Sequence, residues 1–344
     1  MAEAASAEGT ASGRRVLITG AFGFVGGWLT DELLRRDPGM EIVGWGLKAD
    51  SDSGVERASR VSGMAVDLTD RDAVFDAMET VKPTAVVHLA AISAPREAKQ
   101  DPDRAWNVNL FGTVNLAEAT LAKAPHARFI YVSSSEVYGE SFDQVDGPVD
   151  ETALLAPLNL YGLTKSAADL AVGRLAREGL KATRFRPFNH TGPGQTEGFV
   201  VGALASQIAR IEMGALPPVL YVGNTSVRRD ILDVRDIVRA YASAVLHEGP
   251  IEAEILNLAS GNAISIAEIA ERLCGMARIK IAVEVDPARV RTNDLARTLG
   301  SSARAEAVLG WRPQIAIEQT LADVLDYWRA RVRAHPTEAV ANGG

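Results

Sequence analysis

The chain is predicted to be an α/β protein, a doubly wound parallel sheet with a smaller, discontinuous lobe beside it. Three observations carry that expectation. From Arg14 onward, short β-branched runs alternate with longer stretches of helical periodicity. Most of the short runs are apolar on both faces, as strands covered by two helix layers must be. The first run opens into a glycine-rich turn with a helix behind it, the arrangement of a Rossmann dinucleotide-binding unit.

The strand candidates, in order, are RVLIT, EIVGWG, MAVDL, AVVHLAA, RFIYVSS, KATRFRP and EILNLA. Helices are expected between them over 24–36, 70–80, 101–123, 160–178 and 234–247. After Pro187 the pattern changes to turn residues in NHTGPGQ, a helix near 199–213 and a short strand PVLYV; from Ser260 come more helices and one short strand. The division expected is a dinucleotide-binding domain over 14–187 plus 231–259 and a substrate-binding lobe over 188–230 plus 260–333. The polar start, 1–13, and the small-residue end, 334–344, have the composition of a disordered leader and tail.

Bulk composition narrows the class. At 344 residues, 47% of them hydrophobic, the chain can bury a large core. A formal charge of −8 argues against nucleic acid or an anionic membrane as the main partner. No run of about 18 apolar residues offers a membrane span. The single cysteine, Cys274, allows neither an intrachain disulfide nor a cysteine-rich zinc site, so no metal is expected and a reducing, cytoplasmic setting is.

The turn after the first strand reads Gly20-Ala-Phe-Gly23-Phe-Val-Gly26, a G-x-x-G-x-x-G spacing. Glycines there let the backbone turn tightly, bring its N–H groups against a pyrophosphate and pack helix on strand, while the helix dipole favours the anion. The second strand ends in GWGLKAD, without an acid where an adenosine ribose would be bonded. Lys48 is placed to meet a 2′-phosphate, which favours NADP(H); NAD(H) stays open because Asp50 or Asp52 could serve the ribose. Asp67 could accept from an adenine amino group or cap the next helix, for which Asp70 is the better placed residue.

A second pattern is Tyr161-Gly-Leu-Thr-Lys165, with Ser134 upstream. Residues four apart share a helix face, so the ammonium is expected beside the phenol oxygen. That would lower a pKa ordinarily about 10 toward the range of a general acid or base. The same spacing also suits a solvated pair.

Together TGAFGFVGG, VDL, HLAA, NVNLFGTVNLAEA, VSSSEVYG and YGLTK resemble the extended short-chain dehydrogenase/reductase family, whose members act on nucleotide sugars, over roughly residues 14–333. That resemblance implies that Tyr161 is the acid/base, that Lys165 holds the nicotinamide ribose and tunes the tyrosine, and that Ser134 hydrogen-bonds the reacting sugar oxygen. It implies cofactor contacts from Gly20, Gly23, Phe24, Val25 and Gly26, from Asp67 and Leu68, and from Leu89, Ala90 and Ala91. Asn109 matches an asparagine that supports the site, a position that a helix-packing amide would suit as well.

In the second half, RPFNHTGPGQTEGFV, VGNTSVRRDILDVRDIVRAY, DPARVRTNDL and LGWRPQIAIEQTL look like the GDP-4-keto-6-deoxy-D-mannose reductases, which use a reduced nicotinamide to make GDP-D-rhamnose. By that likeness Arg229 and Arg291 contact the phosphates of a GDP-sugar, with Arg210 a weaker candidate. Asn189 and Val200 face the substrate, His190 the cofactor, and Asp294 a ribose or base. The assembly implied is a homodimer, paired through the helices at 101–123 and 160–178 into a four-helix interface. Glu136 leaves the reaction open, because in the related 4,6-dehydratases a glutamate two residues past the serine or threonine removes the C5 proton. A dehydratase recycles its NADP, whereas a reductase consumes NADPH. The same scaffold would also suit a 4-epimerase, and its cradle alone would suit a non-catalytic NADP-binding regulator.

Overall fold

The computed structural model describes residues 13–48, 61–251, 254–290 and 295–335. In chain order the first half runs β1 (Arg15–Thr19), α1 (Phe24–Arg36), β2 (Glu41–Gly46), β3 (Ser62–Ala65), α2 (Arg71–Val81), β4 (Ala85–His88), α3 (Pro95–Gln100), α4 (Pro102–Trp106), α5 (Thr113–Lys123), β5 (Arg128–Val132), α6 (Leu160–Arg177) and β6 (Lys181–Pro187). The second half runs β7 (Asn189–Thr191), α7 (Val200–Glu212), β8 (Val219–Val222), β9 (Arg228–Asp233), α8 (Val234–Leu246), β10 (Ile255–Leu258), β11 (Ala263–Ser265), α9 (Ile266–Gly275), β12 (Ala282–Val285), β13 (Arg297–Thr298), α10 (Ala303–Leu309) and α11 (Ile317–Ala334).

β1 shows why the main sheet forms. Val16, Leu17 and Ile18 are all fully buried, Leu17 in the apolar layer on one face and Val16 and Ile18 in the layer on the other. A strand with no polar face must lie between two helix layers. Seven strands do so, in the order β3-β2-β1-β4-β5-β6-β10, every pair parallel. The order reverses between β1 and β4, and the carboxyl ends at such a switch point form a ligand crevice.

The lobe has its own core, in which Ile208 of α7, Leu220 of β8, Ile269 of α9 and Leu325 of α11 are fully buried. Its strands are short: β9 pairs with β7, β11 and β13, and β12 pairs with β8. Several details differ from expectation. β9 begins before residue 231 and stays in the lobe's sheet, so the chain rejoins the large sheet only through α8 and β10. Beyond residue 260 three short strands form among the described residues, where one was expected, because each needs only two to four pairings with a partner distant in sequence. Ala305 and Trp311 pack in the core under the large sheet, with the Trp311 indole donating to the Asp236 carbonyl (2.8 Å), so this piece of 260–333 belongs with the dinucleotide-binding body. The helix expected over 101–123 is three pieces, α4, a π-helical segment Asn107–Gly112, and α5. β3 ends at Ala65, ahead of the VDL expected at its tip. No described helix is long and apolar enough to cross a membrane, and no group of three or more described His, Cys, Asp or Glu side chains could hold a metal ion.

Candidate active site

The cradle closes on itself through its glycines. Gly20 has φ +71°, a conformation that favours glycine, and a Cβ there would lie 3.0 Å from the Ala90 nitrogen at the end of β4. At Gly26 a Cβ would stand 2.3 Å from the Gly20 carbonyl oxygen and 2.5 Å from that of Ala21. The turn therefore lies flat against the first turn of α1. Gly23, the N-cap of that helix, has no side-chain cap, and no acid sits in its first turn, so the positive end of the dipole stays available to an anion. These residues fit the pyrophosphate of a dinucleotide. Phe24 lies against Gly192 and Gly194, and the Trp28 indole donates to the Pro193 carbonyl (3.0 Å), which ties the cradle helix to the turn entering the lobe.

Around the cradle, Val25 is half-buried against the core, Leu89, Ala90 and Ala91 line the end of β4 half-buried, and Leu68 is buried with its carbonyl accepting from Asn115 (3.0 Å). Asp67 is exposed, and its carboxylate accepts from Thr69 Nα and Oγ1 (2.9 and 2.8 Å). Capping of α2 falls to Asp70, which accepts from Ala73. Lys48 is exposed at the tip of β2, while Asp50 and Asp52 lie outside the described residues. Asn109, in the π-helical segment, is 1% exposed and fully engaged: its carbonyl accepts from Ile92 N (2.8 Å) and its amide donates to Ile92 O (3.2 Å) and Thr164 Oγ1 (3.0 Å). It fastens the loop after β4 to α6, a supporting role in a segment type that is frequent at functional sites.

Ser134 follows the carboxyl end of β5 and Tyr161 lies in the first turn of α6, and the serine hydroxyl acts on the phenol. Lys165 does not lower the phenol's pKa. Burial pushes Tyr161 up to about 12 against the opposing influence of the Ser134 hydroxyl, and the negative charge of Glu136 adds to the rise. The lysine's Nζ donates to the Val132 carbonyl and stands 4.5 Å from the centroid of the Tyr131 ring. Four-residue spacing fixes a face but not where a long side chain ends. Burial pulls Lys165 down to about 7, with Asp169 one turn on opposing the shift.

Asp169 belongs to a buried network that sequence reasoning missed. Its carboxylate accepts from Arg184 Nη1 (2.8 Å) and from Arg186 Nε and Nη2 (both 3.0 Å); Arg186 also donates to the Tyr138 hydroxyl (3.1 Å), which donates to Asn257 (2.7 Å). Burial alone would raise the Asp169 carboxyl, but the hydrogen bonds and charges of the two arginines hold it below its ordinary value. The network joins the helix of Tyr161 to the loop of Ser134. Two signals could have found it: Asp169 repeats the four-residue spacing beyond Lys165, and two arginines sit in a strand otherwise read as buried. Asn159 was missed as well. It caps α6, accepting from Gly162 N (2.9 Å), and its amide donates to Glu136 (2.9 Å).

Toward the lobe, Asn189 opens β7 exposed, and Val200 opens α7 at 39% exposed. His190 Nδ1 faces the Phe188 carbonyl at 3.0 Å and donates to it, and burial lowers its pKa, which favours the neutral ring. Arg229 donates to the carbonyls of Arg228 and Leu295 (2.9 and 2.8 Å). Arg210 is 8% exposed and holds Glu197 (2.6 Å) and Ser206 (2.6 Å) in the lobe's interior. Arg291 and Asp294 lie outside the described residues.

A tyrosine–serine pair with a buried lysine, set at the switch point beside a pyrophosphate cradle, is the outline of a nicotinamide-dependent site. A model of the family described as GDP-mannose 4,6 dehydratase matches residues 17–324. The chain belongs to that family. It is 38% identical over 268 residues to a GDP-6-deoxy-D-mannose reductase of Pseudomonas aeruginosa, an alignment covering 78% of this chain and 87% of that one. The solved structure of RMD from Pseudomonas aeruginosa complexed with NADPH aligns with a TM-score of 0.75 at 34% identity, over 92% of this chain and 100% of that one. A UDP-glucose 4-epimerase of Thermus thermophilus in complex with NAD gives 0.78 at 28% identity, over 92% and 99%. Relatives of this family member thus include a reductase and epimerases, on one Rossmann-type sheet and with either nicotinamide.

Proposed function

We propose that this family member reduces the C4 ketone of GDP-4-keto-6-deoxy-D-mannose with NADPH, giving GDP-D-rhamnose. The observation that supports it most is the placement of Ser134 after β5 and Tyr161 at the start of α6, on the sheet whose first strand carries the cradle, in a chain so like a GDP-6-deoxy-D-mannose reductase. Bound NADPH supplies a hydride for C4. As the carbonyl oxygen gains charge, Tyr161, kept protonated by burial, gives it a proton, and Ser134 holds it by a hydrogen bond. Lys165 holds the nicotinamide ribose, and Gly20, Gly23 and Gly26 let the backbone reach the pyrophosphate. Arg229, with Arg291 and Asp294, takes the GDP moiety, and the lobe closes over it from the sheet edge. The setting proposed is the cytoplasm. With purified protein, the keto sugar should oxidise NADPH one for one, followed by absorbance. Conversion of GDP-mannose alone to a 4-keto product, without loss of NADPH, would contradict the reading.

If Lys165 meets the ribose as an ammonium ion, its value of about 7 makes cofactor affinity depend on pH. Above pH 7 binding must take up a proton, so the Kd for NADPH should rise by up to about tenfold per pH unit between 7 and 9. The same shift acts on stability. A depressed lysine leaves the unfolded chain binding more protons between about 7 and the ordinary value, so this group makes stability rise with pH across that window. Fluorescence titration of NADPH at several pH values checks the first effect, and Lys165→Met should flatten it.

A homodimer through the helices bearing the site also belongs to the reading. α6 exposes Leu163 (45%) and Leu170 (62%) seven residues apart on one face, and Phe111 in the neighbouring π-helical segment is 55% exposed. Pairing these faces would bury them. Sedimentation equilibrium should return twice the chain mass, and Leu170→Arg should halve it.

A further inference from the structure

Lys165 is 3% exposed, and no carboxylate pairs with its ammonium among the described residues. Asp169, one turn on, spends its carboxylate on Arg184 and Arg186. A charge left in such a place is costly unless something polar faces it. Two consecutive residues of β5 do so. The Val132 carbonyl accepts from Nζ, and the Tyr131 ring presents its face to the same nitrogen, 4.5 Å from the ring centroid. An aromatic face is the negative side of the ring's quadrupole, and within about 6 Å it attracts a cation, most strongly where water is absent. Tyr131 is fully buried. The ring is braced from both sides of the strand's register. Its hydroxyl reaches the Lys165 carbonyl at 3.4 Å, a long bond, and His88 of β4 lies 5.9 Å away, tilted by 37° and pinned by Thr19 (2.7 Å) and Thr113 (2.8 Å).

We propose that Tyr131 is a positioning residue whose ring face holds the Lys165 ammonium, charged and directed, at the carboxyl end of β5. An ammonium has three N–H donors. One goes to the Val132 carbonyl and one faces the ring, which leaves the third for the ribose of the cofactor. That last step rests on the role proposed above for Lys165, whereas the hold rests on the contacts alone. The other groups facing the lysine do not replace the ring. Burial pulls His88 down to about 3 and pushes Tyr161 up to about 12, so both are neutral near pH 7. Asp169 is an anion, but two arginines answer its charge.

Fluorine on an aromatic ring drains its face of charge with little change in shape, so a graded series tests the hold. Phenylalanine and its mono-, di- and trifluorinated forms are placed at position 131. Lys165 is followed through the 13C signal of its Cε, assigned by its absence from Lys165→Met. Tyr131→Phe should keep the parent's Lys165 titration, because the ring face remains. From there the midpoint should fall with each fluorine, by about one pH unit at the trifluorinated form. The Kd for NADPH at pH 8 should rise in the same order, up to about tenfold, since binding must return a proton to the lysine. A tyrosine that only fills space would move neither quantity along the series. If the Lys165 midpoint follows the fluorines and the Kd does not, the hold stands and the cofactor role of Lys165 has failed. A midpoint that stays fixed or climbs with fluorination would overturn the hold itself.

Discussion

Tyr161→Phe should fold, bind NADPH with the parent's affinity and lose about 10²–10⁴-fold in kcat, the usual contribution of a positioned general acid. The expectation follows from where the hydroxyl lies. The ring is held by α6 and the small apolar cluster around Ile92, Ala98 and Ala105, and removing one oxygen disturbs neither. What disappears is the hydroxyl that gives the proton. Ser134→Ala should cost less, since the proton donor survives and only one hydrogen bond to the forming alkoxide is gone. Combining the two should give little more than Tyr161→Phe alone, because the pair works as a unit. Steady-state kinetics on the three variants, with NADPH binding measured separately, checks this. A Tyr161→Phe enzyme with parental kcat would remove the tyrosine from the chemistry.

Asp169→Ala should destabilise the fold by about 3–5 kcal/mol, the usual cost of breaking a buried ion pair from one side. Arg184 and Arg186 are 6% and 3% exposed and share this one fully buried carboxylate. Arg184 has a further partner in Glu254 (3.2 Å), but Arg186 is left with the Tyr138 hydroxyl as its other bonded group. A loss of that size is a large share of the roughly 5–15 kcal/mol that keeps a domain folded. Thermal unfolding should show a fall of several degrees in Tm. Glu79→Gln, which breaks the exposed pair with Lys123 (2.8 Å), should leave Tm close to the parent's. Equal effects of the two substitutions would show that the Asp169 network carries no special weight.

Much of the architecture is legible in the sequence because burial on two faces leaves a plain mark. Val16-Leu17-Ile18 can only be an interior strand, and Gly20, Gly23 and Gly26 can only be so spaced if something must come close. The same holds for Asp70, whose place before an amphipathic run makes it the cap. What was not legible depends on partners far away in the chain. Nothing near Arg210 says that Glu197 will occupy it, thirteen residues back across a turn, and nothing near Lys165 says that its ammonium will reach the Val132 carbonyl. β9 lies in the lobe because β7, β11 and β13 present edges to it, not because of its own residues. Asn159 is visible locally as a cap; its second bond, to Glu136, exists only once α6 has docked on the loop.

The direction of hydride transfer is the centre of the account, and isotope transfer reads it directly. NADPH carrying deuterium at the transferable C4 position is incubated with protein and GDP-4-keto-6-deoxy-D-mannose, and the sugar product is analysed by NMR. One deuterium is expected at C4 of the sugar for each NADPH oxidised, and none at C5 or C6. Product without deuterium at C4, formed while the NADPH stays intact, would contradict it and return this chain to the dehydratases and epimerases of its family.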